Sequence, residues 1–356
     1  MNELENILAL ARPSIVSMSP YNHACFDPLY ERLHANESPW PPATEDSNSA
    51  LNHYPEPQPK DLVTALAHYY GVSETSILLG RGSDEGIELI TRVFCESKRD
   101  AVMICPPTFG MYAVAANIQG AQVKSVPLVD ASEFKLNISK IKSEIQPNIK
   151  ILWLCTPNNP TGGDLDSQAI NEIIELFRGR ALVVIDEAYA EFSAQPSWIP
   201  LVAKNPHLIV LRTLSKAFGL AGARLGTVIA APEIITLLRK IISPYAISTS
   251  TTSSCLKALK PAALAVMRER ILLIITERER LIAGIEELKI IKKIHKSDSN
   301  FILVESLKIE KIFASLKKEG LLVRNVRDPF SFGEAIRITV GTIEQNNKLI
   351  KILGML

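Results

Sequence analysis

Short apolar runs alternate with helical segments through the middle of the chain, from about residue 71 to about residue 230. The runs are "SILLG", "DAVMICPP", "IKILWLCTP", "RALVVIDEA", "HLIVLRT" and "RLGTVIAA". They are rich in Val, Ile and Leu and lack strict alternation with polar residues, which is typical of strands covered on both faces. The pattern predicts an α/β domain whose mostly parallel, doubly wound sheet of about seven strands lies between helices.

Two helices in this part have ends that the sequence marks. An amphipathic helix is predicted from about Asp61 to Tyr70, and Gly71 should end it. A second helix, ending near residue 178, should begin at Asp166 or Ser167 because either side chain suits the first capping position.

The two ends of the chain differ from its middle. Prolines interrupt the first fifty residues, which predicts an arm with only short helical stretches. The last third begins with a long helical stretch at about 261–289, and the runs after it fit a small α+β domain of two or three strands. We therefore predict an N-terminal arm at 1–50 that is part of the small domain, a large domain at 51–250 and a small domain at 251–356.

Composition and charge narrow the function classes. The chain has 356 residues, of which 47% are hydrophobic and 22% charged, and its net charge is +1. The length predicts two domains, and the composition is typical of a globular protein. A net charge this small produces no long-range field that would favour nucleic acid or a membrane. Five scattered cysteines form no metal-binding spacing and suggest a reducing compartment. With no signal peptide or apolar span expected, a cytoplasmic protein that uses no metal is the default prediction.

The first candidate for chemistry is "LLGRGSDEG", which lies between a predicted strand and a predicted helix. Gly80 and Gly82 allow the backbone to approach an anion, and Ser83 and Asp84 would form the first turn of the helix. The spacing is GxGxxxG, so the segment lacks the dinucleotide fingerprint of a nicotinamide dehydrogenase. When this segment is considered alone, a structural turn is as good an interpretation as a phosphate-binding site.

Polar residues follow two more predicted strands. "CTPNNPTGG" at 155–163 is either a plain turn or a turn that offers an Asn amide at the sheet edge. In "VVIDEAY" Asp186 ends a run of which the four preceding residues are apolar. A carboxylate at such a position is costly unless it is paired. Tyr189 would lie close to Asp186 if a helical turn follows the strand.

"TLSKAFGLAGARLG" places two cations, Lys216 and Arg224, among small and apolar residues. An amphipathic helix with solvated cations is one interpretation, and a straight helix would separate the two residues by roughly 12 Å. The glycines also allow the chain to loop back, so that both cations reach one ligand. A lysine in an apolar site can act as a nucleophile. A lysine, a carboxylate and an anion-binding turn at successive strand ends are together the groups that a protein needs to bind pyridoxal phosphate and use its chemistry.

The order of these motifs resembles the fold-type-I pyridoxal-phosphate aminotransferases over nearly the whole chain. "GRGSDEGIELITRVFC", "CPPTFGMY" and "HYPEPQP" are similar to the histidinol-phosphate aminotransferases within them. The resemblance implies transamination between L-histidinol phosphate and 2-oxoglutarate, which gives imidazole acetol phosphate and L-glutamate in histidine biosynthesis. It also implies pyridoxal 5'-phosphate as cofactor.

The same resemblance implies the roles of residues around the cofactor. Lys216 would form the Schiff base and move a proton, Asp186 would pair with the pyridine nitrogen, and Phe109 would stack on the ring. Tyr189 and Asn159 would bond the phenolic oxygen of the cofactor. The residues implied at the phosphate are Ser83, Asp84, Thr213, Ser215 and Arg224, together with Tyr54 of a neighbouring subunit, which implies a homodimer with shared active sites.

For the substrates, the resemblance implies that Arg337 binds the carboxylate of glutamate or 2-oxoglutarate. Tyr21, Asn36 and Arg324 would contact histidinol phosphate. A solvated charge at the end of a strand is the alternative for each arginine. The chain departs from its relatives at His34, Ser38 and His53, which affects substrate detail and leaves the cofactor assignment unchanged.

Three other functions remain open at this point. An aromatic aminotransferase and a threonine-phosphate decarboxylase would share the fold, and the decarboxylase would also use an arginine for phosphate. The residues of the motifs "RGSDEGIEL" and "CPPTFGMY" disfavour the decarboxylase. A regulator that binds pyridoxal phosphate without turnover would be expected to have a DNA-binding extension or to lack Lys216, and neither is seen.

Overall fold

The computed structural model describes residues 3–21, 30–43, 51–129, 134–328 and 332–356. Its strands form two separate sheets, and helices cover both faces of the larger one. The helices are α1 (Glu3–Leu8), α2 (Pro13–Val16), α3 (Lys60–Tyr70), α4 (Gly82–Phe94), α5 (Met111–Gln119), α6 (Ile138–Glu144), α7 (Ser167–Phe177), α8 (Ile199–Val202), α9 (Pro232–Arg239), α10 (Thr249–Ala258), α11 (Pro261–Ile285), α12 (Ile309–Lys318) and α13 (Ile343–Gly354).

The larger sheet has seven strands in the order β1-β7-β6-β5-β4-β2-β3. β7 is antiparallel to both of its neighbours, and the other neighbouring pairs are parallel. The predicted α/β fold with a mostly parallel sheet is confirmed. The strands are β1 (Ile77–Arg81), β2 (Ala101–Ile104), β3 (Gln122–Ser125), β4 (Ile149–Cys155), β5 (Leu182–Asp186), β6 (Leu208–Thr213) and β7 (Leu225–Ile229).

Alternate residues of the central strands belong to different hydrophobic clusters. Val183 and Ile185 of β5 pack with α3, α7 and α8, whereas Leu182 and Val184 pack with α4, α5 and α9. Burial on both faces explains the uninterrupted apolar runs, because each fully buried Val, Leu or Ile contributes about 1.5–3 kcal/mol.

The helix ends agree with the sequence signals. α3 ends at Gly71, whose φ of 68° lies in the left-handed region that glycine adopts without steric cost. α7 begins after Asp166, whose side chain accepts a hydrogen bond from the amide of Ala169 at 2.8 Å. Of the two predicted caps, Asp166 is the one used, because it stands three residues before that free amide.

The described start of the arm packs on the large domain. Ile7 and Ala11 are buried in the cluster that contains α4 and α9, and Arg12 forms an ion pair with Glu96 at 3.1 Å. The apolar side chains at the start of the chain thus pack against the helices on one face of the large sheet. The proposed division into domains stays a prediction.

The smaller sheet has four antiparallel strands in the order β10-β11-β9-β8. They are β8 (Ile291–Ile294), β9 (Phe301–Ser306), β10 (Arg324–Asp328) and β11 (Gly333–Thr339), and α11, α12 and α13 pack on them. The sequence predicted two or three strands. The additional strand, β8, has the sequence "IKKI" and lies at the edge, where lysines are tolerated and an apolar run is not required.

The two sheets meet through a few aromatic contacts. Phe301 of β9 lies edge-on to the ring of Tyr189, and Phe192 packs against Met267 and Ile271 of α11. The carboxyl ends of β5 and β6 therefore face the small domain. Within the described ranges, none of the helices combines the length and apolar character needed to cross a membrane.

Candidate active site

A cavity of about 700 Å³ lies at the carboxyl edge of the large sheet, between that edge and strands β10 and β11. β5 and β6 end here, and β7 begins here because it runs in the opposite direction. Ligands of open α/β sheets bind at this edge. The predicted site residues that line the cavity are Ser83, Asp84, Phe109, Asn159, Asp186, Tyr189, Thr213, Ser215, Lys216, Arg224, Arg324 and Arg337.

One wall of the cavity is the amino end of α4. The chain turns from β1 into α4 at Gly82, whose φ is 79°, so that Ser83 and Asp84 stand in the first helical turn. A Cβ atom on Gly226 would lie 2.2 Å from the carbonyl carbon of Gly82 and 2.3 Å from the Ser83 nitrogen. Only glycine allows the two backbones this approach. The free amides and the helix dipole make this turn a site for an anion.

Arg224 reaches the same turn from the other side. A short 3-10 turn at Ala221–Ala223 brings the chain back, and Arg224 itself has a φ of 54°. Its Nη2 atom donates to Asp84 Oδ2 at 3.0 Å, and a Cβ on Gly82 would lie 2.5 Å from that nitrogen. The looping path is therefore the one that the structure adopts, instead of a straight helix with solvated cations.

Two hydroxyl groups complete this anion-binding corner. Thr213 Oγ1 lies 2.9 Å from Ser215 Oγ and accepts a 3.1 Å hydrogen bond from the Ser215 amide. Arg224 Nη1 is 3.5 Å from Ser215 Oγ. Amides, hydroxyls and one guanidinium thus converge, as a bound phosphate requires.

The end of β5 supplies a buried carboxylate. Asp186 is 2% exposed; its Oδ2 accepts a hydrogen bond from Tyr112 at 2.8 Å and its Oδ1 accepts one from the Ala188 amide at 3.1 Å. Burial raises the pKa of Asp186 to about 6, although both hydrogen bonds oppose the increase. Such a carboxylate is suited to pairing with a cationic group of a ligand.

Lys216 lies three residues after β6 and projects into the same cavity. Its Nζ atom is 5.4 Å from the centre of the Tyr189 ring. Burial lowers the pKa of Lys216, and the guanidinium groups of Arg337 and Arg224 act in the same direction. A larger fraction of neutral amine makes this lysine a better nucleophile and proton carrier.

A chain of polar groups connects the large domain with the small one. Asn159 Nδ2 donates to the Tyr189 hydroxyl at 3.2 Å, and Arg337 Nη1 donates to Asn159 Oδ1. The turn around Asn159 was ambiguous in the sequence; its neighbour Asn158 donates to the Pro107 carbonyl at 2.8 Å and so fixes the turn, which leaves the Asn159 amide directed to the cavity side.

Two arginines stand next to each other on the small-domain wall. Arg324 of β10 and Arg337 of β11 are direct cross-strand partners, so their side chains share one face of the sheet. Burial lowers the pKa of Arg337, Tyr189 opposes this, and Arg324 adds to it. Like charges directly opposite each other are unfavourable, and an anionic ligand would relieve the repulsion.

Three predicted residues do not line the cavity of the protomer. Tyr54 is stacked on Tyr245 with 4.6 Å between ring centres, and its amide donates to Glu37. Asn36 lies in the same segment with a φ of 56°, and Tyr21 is exposed. Their predicted contacts with cofactor and substrate stay predictions.

Tyr112 also belongs to the site, although the sequence did not indicate it. Its ring is fully buried, stacks on Trp153 at 5.0 Å and lies edge-on to Phe109 at 5.7 Å. The available signal was its position in the first turn of α5, three residues after Phe109.

The residues present fit pyridoxal 5'-phosphate. The corner at Gly82 and Gly226 is a cradle that a Cβ atom would fill, and it suits a phosphate. Asp186 suits a protonated ring nitrogen, and Lys216 suits a carbonyl carbon. The chemistry of the donor set therefore matches the three functional ends of this cofactor.

Comparison with known proteins gives a consistent result. The sequence model of the aminotransferase class I and II family matches residues 22–353. The histidinol-phosphate aminotransferase of Xylella fastidiosa is 43% identical over 99% of this chain and 97% of its own length. Histidinol-phosphate aminotransferase 1 of Haemophilus influenzae is 40% identical over 98% of both chains. The structure of the Sinorhizobium meliloti histidinol-phosphate aminotransferase with pyridoxal-5'-phosphate has a TM-score of 0.76 at 24% identity, covering 90% of this chain and 89% of its own.

Proposed function

We propose that this chain, which belongs to the class I and II aminotransferase family, transfers an amino group between L-histidinol phosphate and 2-oxoglutarate. The products are imidazole acetol phosphate and L-glutamate, and the reaction runs in either direction. The relatives that are about 40% identical over nearly their full length are named histidinol-phosphate aminotransferase. This reaction belongs to histidine biosynthesis.

One observation supports the proposal most strongly. A single cavity holds an anion cradle, a buried carboxylate, a lysine of lowered pKa and two adjacent arginines. The first three fit the cofactor, which leaves the arginine pair for a substrate. Both proposed substrates carry an anionic group close to the reacting carbon, which is the α-carboxylate of glutamate or the phosphate of histidinol phosphate, and a guanidinium can bind either group.

We propose that residues lining this cavity bind pyridoxal 5'-phosphate. The amides of Ser83 and Asp84, with Thr213, Ser215 and Arg224, would bind its phosphate; Asp186 would hold the ring nitrogen protonated. Tyr189 and Asn159 would bond the phenolic oxygen, and Phe109 would cover the ring. When bound, the cofactor supplies an electron sink for the carbanion at the substrate Cα.

Lys216 is proposed to carry the proton. Its lowered pKa leaves more of the amine neutral, so it would accept a proton from Cα of the substrate and deliver it to C4′ of the cofactor. Asp186 is buried and fixed by two hydrogen bonds, so its charge stays directed at the ring nitrogen without reorganisation.

The substrates are proposed to use the arginines differently. Arg337, held by Asn159 and lying 5.3 Å from the centre of the Phe301 ring, would bind the α-carboxylate of glutamate or 2-oxoglutarate. Arg324 would bind the phosphate of histidinol phosphate, with Tyr21 and Asn36 as further contacts. A planar guanidinium suits either anion.

A homodimer with shared active sites is part of the proposal. Tyr54 is half exposed and does not line the cavity of its own protomer, so it would be available to the cofactor phosphate of a neighbouring subunit. The four cysteines within the described ranges are buried and free, which supports a reducing compartment such as the cytoplasm.

The test is a set of single-turnover reactions of the loaded protein, followed by its visible absorbance. Histidinol phosphate and glutamate should each convert the cofactor to its aminated form, and 2-oxoglutarate should restore it. Faster conversion by phenylalanine or tyrosine would indicate an aromatic aminotransferase. Release of carbon dioxide from threonine phosphate would indicate the decarboxylase. A protein that binds the cofactor and converts none of these substrates would contradict the proposal.

A further inference from the structure

A buried cluster of three charges lies behind the active-site strands. Arg212 of β6 donates from Nη1 to Glu187 Oε2 at 2.6 Å and from Nη2 to Glu191 Oε1 at 2.5 Å. All three side chains are less than a tenth exposed. None of them lines the cavity, so the proposed chemistry leaves this cluster without a use.

Each member of the cluster is next to a residue of the site. Arg212 immediately precedes Thr213, Glu187 immediately follows Asp186, and Glu191 comes two residues after Tyr189. Side chains on a strand alternate between its faces. Asp186 continues the row of Val184 on the face of α4 and α5, whereas Arg212 continues the row of Val210 on the face of α3.

The cluster also connects surrounding segments. Glu187 accepts hydrogen bonds from Ser197 Oγ and the Trp198 amide, both at 2.6 Å. The guanidinium carbon of Arg212 lies 5.5 Å from the centre of the Tyr70 ring at the end of α3. Glu191 belongs to the 3-10 turn Ala190–Phe192, which packs against α11 of the small domain.

Stability alone is a weak reason for such a cluster. Removing charges from water is costly, and apolar residues of the same size often stabilise a fold as well or better. A guanidinium that bridges two carboxylates does, however, fix the relative position of two chain segments, because its planar fork accepts only one geometry.

We propose that Arg212 is a positioning residue, which fixes the segment carrying Asp186 and Tyr189 relative to the segment carrying Thr213 and Lys216. This inference rests on the proposed binding of pyridoxal 5'-phosphate. The two segments would hold opposite ends of the cofactor, because one carries the proposed partner of the ring nitrogen and the other carries Lys216 and two of the proposed phosphate contacts. A site held in this way keeps its geometry without touching the ligand.

The experiment compares four variants of the loaded protein: Arg212→Met, Arg212→Lys, Glu191→Gln and Glu277→Gln. The dissociation constant of pyridoxal 5'-phosphate, the visible circular dichroism of the bound cofactor, kcat and KM for glutamate, and the melting temperature are measured. Glu277 is the matched control, since it is a buried glutamate that accepts hydrogen bonds from Arg280 and Asn346 in the small domain.

We expect Arg212→Met and Glu191→Gln to bind the cofactor at least about tenfold more weakly, with a changed circular dichroism signal and a lower kcat at similar KM. Arg212→Lys should be intermediate, because one ammonium group cannot occupy the geometry of the fork. Glu277→Gln should lower the melting temperature alone. If Arg212→Met does not fold, Glu191→Gln still decides the question.

Two outcomes overturn different statements. Variants that melt earlier but keep the wild-type affinity, circular dichroism and kcat would overturn the positioning role and leave the proposed function intact. A wild-type protein that does not bind pyridoxal 5'-phosphate would overturn the proposed function, and this inference with it.

Discussion

The hydroxyl of Tyr112 donates a hydrogen bond of 2.8 Å to Oδ2 of Asp186, and neither side chain is more than 2% exposed. The Ala188 amide binds the other carboxylate oxygen. Asp186 is therefore fixed from two directions before any ligand contact is considered. A buried carboxylate with defined hydrogen bonds needs no reorganisation when charge develops next to it.

Replacing Tyr112 by Phe removes this donor and keeps the ring stacked on Trp153. The carboxylate then loses one stabilising contact, and we expect the pKa of Asp186 to rise further and kcat to fall about tenfold. Single-turnover rates with glutamate measure the effect. Tyr69→Phe is the control, because it preserves the ring contacts with Tyr70 and Phe218. Equal rates in wild type and Tyr112→Phe would show that the hydrogen bond has no catalytic role.

Asp186 also predicts a pH dependence of stability in the cofactor-free protein. Burial raises its pKa from 3.8 to about 6, so between these values the folded state binds more protons than the unfolded state. Stability must then fall as the pH rises through this window. Asp186→Asn removes this titration, so its free energy of unfolding relative to wild type should increase from pH 4 to about pH 6, by on the order of 2 kcal/mol.

Urea unfolding of both proteins across this range measures that difference. Taking the difference cancels the contribution of carboxylates whose pKa is lowered in the fold, such as Asp100 and Glu277, which act with the opposite sign. A difference that is constant with pH would mean that Asp186 is not destabilised by burial.

The close approach at Gly226 gives a third prediction. Gly226→Ala would place a Cβ atom 2.2 Å from backbone of Gly82, so the amino end of α4 has to move. We expect at least about tenfold weaker cofactor binding and a loss of stability of about 1–3 kcal/mol. Gly222→Ala is a matched control in the neighbouring turn, where no atom lies within 4 Å of the added carbon. Similar cofactor affinities for the two variants would contradict the cradle.

Strand ends explain why so much of the site was predictable. Asp186 and Thr213 end β5 and β6, and Lys216 follows directly, so the α/β pattern alone brought them to one sheet edge. Gly82 and Arg224 needed only the glycines that let the chain turn. The arginine pair came from the family resemblance, because the register of β10 on β11 is set by tertiary packing rather than by local pattern.

The missed features depend on contacts between distant segments. The partner of Tyr112 is 74 residues away, and the two partners of Arg212 are 25 and 21 residues away, so no local signal marks these contacts. β8 was missed because an edge strand can be short and lysine-rich. The predicted roles of Tyr54, Tyr21 and Asn36 come from the resemblance alone, and the cavity of one protomer does not include these residues.

Lys216 gives a fourth prediction, which concerns covalent labelling. Borohydride reduction of the loaded protein should fix a pyridoxyl group on Lys216, because it is the lysine that lines the cavity among the described residues. Peptide mapping by mass spectrometry identifies the labelled residue. Lys216→Ala should bind pyridoxal 5'-phosphate without a reducible linkage. A label on a different lysine would exclude the assignment.

The arginine pair gives the last prediction, which separates the two half-reactions. Arg337 donates to Asn159 and packs over Phe301, a geometry that suits a planar guanidinium and that a lysine cannot reproduce. Arg337→Lys should therefore impair the glutamate half-reaction severely. In histidinol phosphate a phosphorylated hydroxymethyl group stands in place of the α-carboxylate. This substrate should therefore depend less on Arg337.

Arg324→Ala should show the opposite preference, with weaker histidinol phosphate and nearly unchanged glutamate. Loss of one charge-assisted contact costs roughly 1.5–3 kcal/mol, or about 10- to 150-fold in kcat/KM. Arg327→Ala is the control in the same strand: Arg327 also contributes to the cavity wall, but its guanidinium is paired with Glu334 at 2.6 Å, so its loss should change either half-reaction little. If Arg324→Ala left histidinol phosphate untouched, the phosphate would have to bind elsewhere, and an aromatic aminotransferase would become the better hypothesis.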